Sequence, residues 1–415
     1  MRIGIMASVL AMGMISSDPT LALDLNFLAS SLPAGMTFSR ASSATDIING
    51  VLTTFASGSP RISTANGYLG EPARTNLVLY NSSSATTGTL TGSQTDPAGA
   101  SLAYLYTEGS TSSGWQWSTG ASTISFVSGT TYTASAFVKA GTLDRVQMFT
   151  SSSITGANGY ANYYLSGDGS VSKLGAGYSS AGIKRLGSTA WYRIWATFTC
   201  TGTASHTLTF SSISTGTETR APSILGTSRT IYWFGPQVES AAAISSYIPT
   251  TTAAVTRAAD QLYYDFSSPV AAPNTVYCHA VAPPWESSVL AGSVVETKAV
   301  SAGDRIIIGR VSYDTKINTK CQIGYANQCD LFASSVVGAS VEFKSAFSNA
   351  TNSFRGATKG TVSVEDTVGT APAINRIYIC GDSGGTATNF FGYVKAARVY
   401  NVAKTQSELE AVTAL

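Results

Sequence analysis

The sequence predicts an all-β protein: two tandem antiparallel β-sandwich or jelly-roll units, with an N-terminal arm and a short C-terminal helix. Three observations point there. Charged residues make up only 12% of the 415 positions, too few for the Glu, Lys and Arg that long solvated helices need. Runs of alternating aromatic and polar residues recur roughly every ten residues, with no helical periodicity between them. Gly- and Asn-rich turn signals separate the runs. The length exceeds one ordinary domain, so two or three β-rich units are expected.

Arg2 precedes an apolar run from Ile3 to Ile15, which is too short to span a bilayer as a helix. We read residues 1–20 as an apolar anchoring arm docked on a neighbouring subunit, in preference to an uncleaved signal peptide. Leu21, Leu23 and Leu25 alternate with polar or small residues, which marks a half-buried strand. That strand opens a β segment (21–80) expected to pack on the first sandwich, with hairpin turns at Asn49-Gly50 and Asn66-Gly67. Residues 81–240 carry the first unit, with strands such as 131–140, 145–150, 160–166 and 205–213. Gly167-Asp168-Gly169 reads as a turn. Ile231 to Phe234 is a closing strand broken by Gly235-Pro236, because proline cannot donate to a ladder. An ordered connector (241–260) follows, pinned by Tyr247-Ile248-Pro249 and ending at Arg257 and Asp260. Residues 261–415 form the second sandwich. Thr405-Gln-Ser-Glu408 is a capping box that opens a helix over 407–413. No fixed-period repeat is visible, which disfavours a β-helix or propeller.

The chemistry is sparse. A net charge of +2 gives no electrostatic case for nucleic acid. Cys321 and Cys329 flank a short hairpin and could form a local disulfide; the alternative is that all five cysteines are small buried hydrophobes. Zinc is disfavoured, since there are two histidines and adjacent Cys278 and His279 point to opposite faces of a strand. Cys380-Gly-Asp-Ser-Gly-Gly385 copies the surroundings of a serine-protease nucleophile, with His279 and Asp304 or Asp314 in workable order. The setting around His279 is wrong for that chemistry, so a glycine-rich turn is preferred. A glycosidase needs two facing carboxylates, and neighbours such as Glu365 and Asp366 point apart. Asp168 is read as a turn residue, not a calcium ligand. No catalytic residue, metal ligand or cofactor is therefore assigned. Tyr104, Tyr106, Trp115, Trp117 and Trp285 are the candidate carbohydrate-binding residues, because sugar C–H faces stack on such rings. The alternative is core packing, which is the preferred reading for Trp191, Trp195 and Trp233.

Segments 36–45 (MTFSRASSAT), 67–78 (GYLGEPARTNLV) and 232–260 (YWFGPQVESAAAISSYIPTTTAAVTRAAD) closely resemble a family of tailed-bacteriophage virion proteins found in tail fibres, head fibres and related appendages. The middle of that family is similar to jelly-roll carbohydrate-binding modules. The run from Ile377 to Leu409 looks like the last strands of a laminin-G or concanavalin-like sandwich. There are departures. A usual Gly-Ile-Asp is here Gly392-Tyr-Val-Lys395, which removes an acid, and Gly-Ala-Gln-Leu-Glu is here Gly235-Pro-Gln-Val-Glu239.

The resemblance implies a non-enzymatic structural protein on a virion surface, displaying lectin-like domains for adhesion to host glycans. Implied partners are other virion proteins through the arm, a host surface glycan, and further copies of the chain, with a trimer as first expectation. No nucleic acid partner and no membrane span are expected. A purely architectural decoration, collar or fibre role is the alternative, and a capsule-degrading hydrolase the third reading.

Overall fold

The computed structural model of the chain describes residues 18–79, 83–120, 123–282, 292–299, 301, 303–310, 316–337, 341–381 and 390–415. The fold is all-β, and the helices among these residues, Ser152–Thr155 and Gln406–Thr413, are short. Most of the expected anchoring arm (1–20) lies outside the described residues.

The first sandwich is built from two six-stranded antiparallel sheets. One runs Ser180–Arg185, Trp191–Thr199, Thr131–Ala140, Thr230–Glu239, Ala103–Thr107 and Thr89–Gln94 in space. The other runs Ser170–Leu174, Tyr160–Tyr164, Arg145–Phe149, Thr209–Ser212, Gln116–Ser118 and Ser84–Ala85. Their inner faces meet in a core rich in aromatics, including Tyr106, Trp117, Phe210 and Trp233. Period-two alternation delivers these rings to one face of each strand. Burying each large side chain contributes roughly 1.5–3 kcal/mol.

Gly235-Pro236 does not end the closing strand. Thr230–Glu239 continues through it as a bulge, with Phe137 paired to Phe234 and Ser135 to Gln237. Gly235 supplies the positive φ of +57°, and the extra residue leaves the missing proline N–H outside the ladder.

The second sandwich corrects the domain order. The segment 21–80 does not simply pack on the first sandwich. Leu21–Asn26 pairs with the final strand Gly392–Tyr400, with Leu21 opposite Tyr400, and Gly67–Gly70 pairs with the other end of that strand. Met36–Ser39 pairs with Gln261–Val270 at the edge of the opposing sheet. Leu25, Phe27 and Tyr68 lie in the same core as Val276, Phe347 and Val399. Physically, strands from both ends of the chain cover one another's apolar faces. The hairpin Ala44–Ile48/Val51–Phe55 leans on the first sandwich, through Leu52 against Phe137, Leu186 and Trp191, and Leu77 and Val78 at the end of the segment join its core. Asn49 and Gly50, both at positive φ, form its turn as expected.

The jelly roll is thus inserted into the second sandwich. The outgoing and returning segments pair with each other as Arg74–Asn76 and Val255–Arg257, making a two-stranded neck. At the far end Thr405 and Glu408 form the expected capping box, and the helix buries Leu409 against Tyr277, Ala346 and Ala357.

Candidate functional site

The residues that carry the sequence resemblance gather at the neck. Arg40 reaches Asp260 at 2.8 Å, Arg61 pairs with both Asp260 and Glu71, and Arg257 pairs with Glu71. Ser246 donates its N–H to Glu71 at 2.7 Å and its hydroxyl at 2.6 Å. Beside them Gln237 accepts from the Ile248 N–H at 2.7 Å, while Glu239 accepts from the Ser245 N–H at 2.9 Å. The ion-paired side chains are 0–1% exposed and already paired with one another, so they offer a ligand nothing to bind. Burial alone pushes the Glu71 carboxyl up, but Arg257, Arg61 and Ser246 outweigh it and hold it down at about 2. This is a staple between three chain segments, not a binding site.

The aromatic candidates fare differently. Tyr106 and Trp117 are fully buried and stack on each other at 4.3 Å between centroids, and Trp117 also stacks on Phe210. Trp115 is buried too, with Gly109 and Gly226 close against its indole. None of the three presents a face to a sugar. Trp115 and Trp117 share a face as expected, but that face points into the core, where Tyr106 meets Trp117 from the opposing sheet. Tyr104 is half-buried at the margin of the same core, 6.2 Å from Trp233. Trp285 lies outside the described residues, as does the Asp382–Gly385 part of the protease-like motif. His279 is committed to Glu342.

Cys321 and Cys329 sit directly opposite each other across a hairpin whose turn is Gly324-Tyr325. They are nevertheless free buried thiols, as are the other three cysteines, which is the buried-hydrophobe alternative and not the possible local disulfide. The hydrogen bond with Cys329, and after it burial, push the Cys321 thiol up and keep it protonated. Asp168 sits exposed in a turn between Gly167 and Gly169, both at positive φ. Among the described residues no cluster of metal-ligating side chains occurs.

A concave site does exist, at the junction of the two sandwiches. It is a cleft of about 500 Å³. The hairpin turn contributes Ile47, Asn49 and Gly50; the jelly roll contributes Lys184, Arg185, Leu186 and Arg193. The second sandwich contributes Val281, Ala282, Glu342, Tyr393 and Lys395. Glu342 is shared between His279 and Lys395, the latter at 2.7 Å. Lys395 first and then His279 hold its carboxyl below the usual range. The Tyr393 hydroxyl donates to Asp46 at 2.8 Å. Burial pushes the Asp46 carboxyl up to about 6 against the pull of Arg61.

Sequence reading missed this cleft, because its walls come from segments far apart in the chain, from Ile47 to Lys395. Two signals were visible. Arg193 interrupts an otherwise aromatic strand between Trp191 and Trp195, and the departure at Gly392–Lys395 from the family wording falls on the cleft wall.

No family model matches the chain, and no curated protein matches it. Solved structures similar to part of it include the IT-sialidase CBM40 domain of Ruminococcus gnavus, at 13% identity over 34% of this chain and 83% of that one, TM-score 0.29. The heptameric SAP-like pentraxin of Limulus polyphemus is 12% identical over 36% and 74%, TM-score 0.29. Domain 4 of an extracellular arabinanase from Geobacillus stearothermophilus is 12% identical over 40% and 80%, TM-score 0.29.

Proposed function

We propose that this chain is a non-enzymatic structural protein of a phage-like particle, displayed on the virion surface, whose paired sandwiches hold a host surface glycan in the cleft between them. The cleft carries the glycan half of this reading. Its volume of about 500 Å³ suits a few sugar rings, and it combines apolar walls (Ile47, Leu186, Val281, Ala282) with amides and charges that pair with hydroxyls. The virion half rests on the wording of segments 36–45, 67–78 and 232–260. Attachment through residues 1–20 and assembly into a homo-oligomer, first of all a trimer, belong to the same proposal.

The non-enzymatic part is supported by the cleft lining, which among the described residues includes one carboxylate, Glu342, already shared by two bases. Glycoside hydrolysis calls for a pair. Incubation with host capsule is expected to release no oligosaccharide, and release would overturn this part.

The test of the main reading has two arms. The isolated protein is screened on an array of host surface polysaccharides, and antibody-gold labelling locates it on particles. Binding to a glycan that weakens in Lys184→Glu supports the cleft; a silent array overturns it. Unlabelled particles overturn the virion assignment. The burial of Tyr106, Trp115 and Trp117 favours a second reading, a purely architectural protein. Labelled particles with a silent array are its signature.

A further inference from the structure

We infer that the cleft selects a saccharide bearing a carboxylate, with the Arg193 guanidinium as its anchor. The inference rests on the glycan reading above and narrows it to one chemical class.

Charge comes first. Among the described residues, four cationic side chains line the cleft, Lys184, Arg185, Arg193 and Lys395, against the one carboxylate of Glu342. That carboxylate is spent on Lys395 and His279. Arg185 is held by backbone carbonyls, chiefly that of Thr189 at 2.8 Å, and Lys184 is exposed. Neither makes an ion pair among the described residues. The wall therefore carries a surplus of positive charge facing the opening.

Arg193 is the unusual member. Arg40, Arg61 and Arg257 are as deeply buried and each is paired with a carboxylate. Arg193 is 4% exposed and makes no ion pair among the described residues. Its only hydrogen bond there goes to the Ser135 hydroxyl at 3.2 Å, its guanidinium lies 5.3 Å from the Phe137 ring centroid, and its Nε is buried without a partner. Glu239 and Glu71 act on it only beyond ion-pair distance, both being committed elsewhere. A buried cation left unpaired is costly. A planar guanidinium offers paired donors that fit a carboxylate in two-pronged geometry, which a neutral hydroxyl cannot match. Asn49 and Asn66 on the rim are placed to pair with ring hydroxyls, and Leu186 and Val281 to meet ring C–H faces.

The experiment measures binding of the full chain to oligogalacturonate, to its methyl ester, to a sulfated oligosaccharide and to a neutral oligosaccharide, by calorimetry. The carboxylated sugar is expected to bind, and its methyl ester to bind at least roughly 30-fold more weakly. Arg193→Met should lose a similar factor while its unfolding midpoint holds or rises, because an unpaired buried charge is gone. Lys184→Glu, on the exposed rim, should weaken binding by a few-fold and flatten its salt dependence. Equal affinity for acid and ester, or preference for the sulfated sugar, overturns the carboxylate assignment. Undiminished binding by Arg193→Met overturns the anchor. Binding of neutral sugars alone sinks this inference and leaves the glycan reading standing; silence toward every saccharide sinks both.

Discussion

Replacing Glu71 by Gln tests whether the buried staple holds the two sandwiches in register. The side chain is fully buried, pairs with Arg61 and Arg257, and accepts twice from Ser246. Gln keeps the shape and removes the charge. Arg61 retains Asp260, but Arg257 loses its ion pair and keeps only neutral acceptors, the Pro72 carbonyl and the new amide oxygen. Two routes give the magnitude. Removing one partner of a buried pair costs about 3–5 kcal/mol. Independently, the Glu71 carboxyl is held at about 2 against an ordinary value of 4.5; at about 1.36 kcal/mol per pH unit that displacement is worth about 3 kcal/mol. Because the folded-state value lies below the unfolded one, this stability is present above pH 4.5 and is lost as pH falls toward 2. Guanidinium unfolding followed by far-UV circular dichroism should therefore show Glu71→Gln about 3 kcal/mol less stable at pH 7, with a flatter acid limb between 4.5 and 2. Adding Arg257→Met should cost less in that background than alone, since the stranded cation is removed. A Gln variant within about 1 kcal/mol of the parent at pH 7, or one that keeps the parent's acid limb, would refute the reasoning.

Three further outcomes are expected. Asp46, at about 6 in the fold against 3.8 ordinarily, takes up a proton on folding between those values, so it lowers stability as pH rises through that window. Asp46→Asn should gain up to about 3 kcal/mol at pH 7.5 in the same unfolding assay, and a loss there would count against it. Gly67 sits at φ +86° with the Val394 carbonyl oxygen 2.3 Å from where a Cβ would be, so Gly67→Ala should cost about 2 kcal/mol or more, read as a drop in unfolding midpoint. Excising residues 79–250 and joining the neck with a short Gly-Ser linker should leave a folded second sandwich by circular dichroism and gel filtration. Residues 261–415 expressed alone should fail both measurements, because they lack the strands Leu21–Asn26, Met36–Ser39 and Gly67–Gly70.

What could be read in advance was local. The turn at Asn49-Gly50, the strand at Leu21–Asn26 and the Thr405–Glu408 cap are each set by a few adjacent residues, and each stands as expected. What could not be read was pairing at a distance. Nothing near Leu21 announces that its ladder partner is Tyr400. Alternation places Trp115 and Trp117 on one face but is silent about whether that face meets water or another sheet. The neck residues announced themselves by their wording and by nothing physical, since Arg61, Glu71, Arg257 and Asp260 form a network only once the inserted domain has closed behind them. Arg193 was hidden because a lone cation in an aromatic strand gains meaning only beside the walls that the other domain supplies.

The pairing of Leu21 with Tyr400 places the first and last of the described strands side by side, with their outer ends together. Force reaching that ladder therefore acts in two different ways. Tension between the two ends of the chain peels the strands apart one residue pair at a time, starting at Leu21 and Tyr400. Tension between the segment before Leu21 and a load held in the cleft pulls along Leu21–Asn26, so its pairs bear the strain together. A molecule anchored ahead of Leu21 and loaded at the cleft thus meets mechanical stress in its stronger direction, and one anchored by both ends meets it in the weaker.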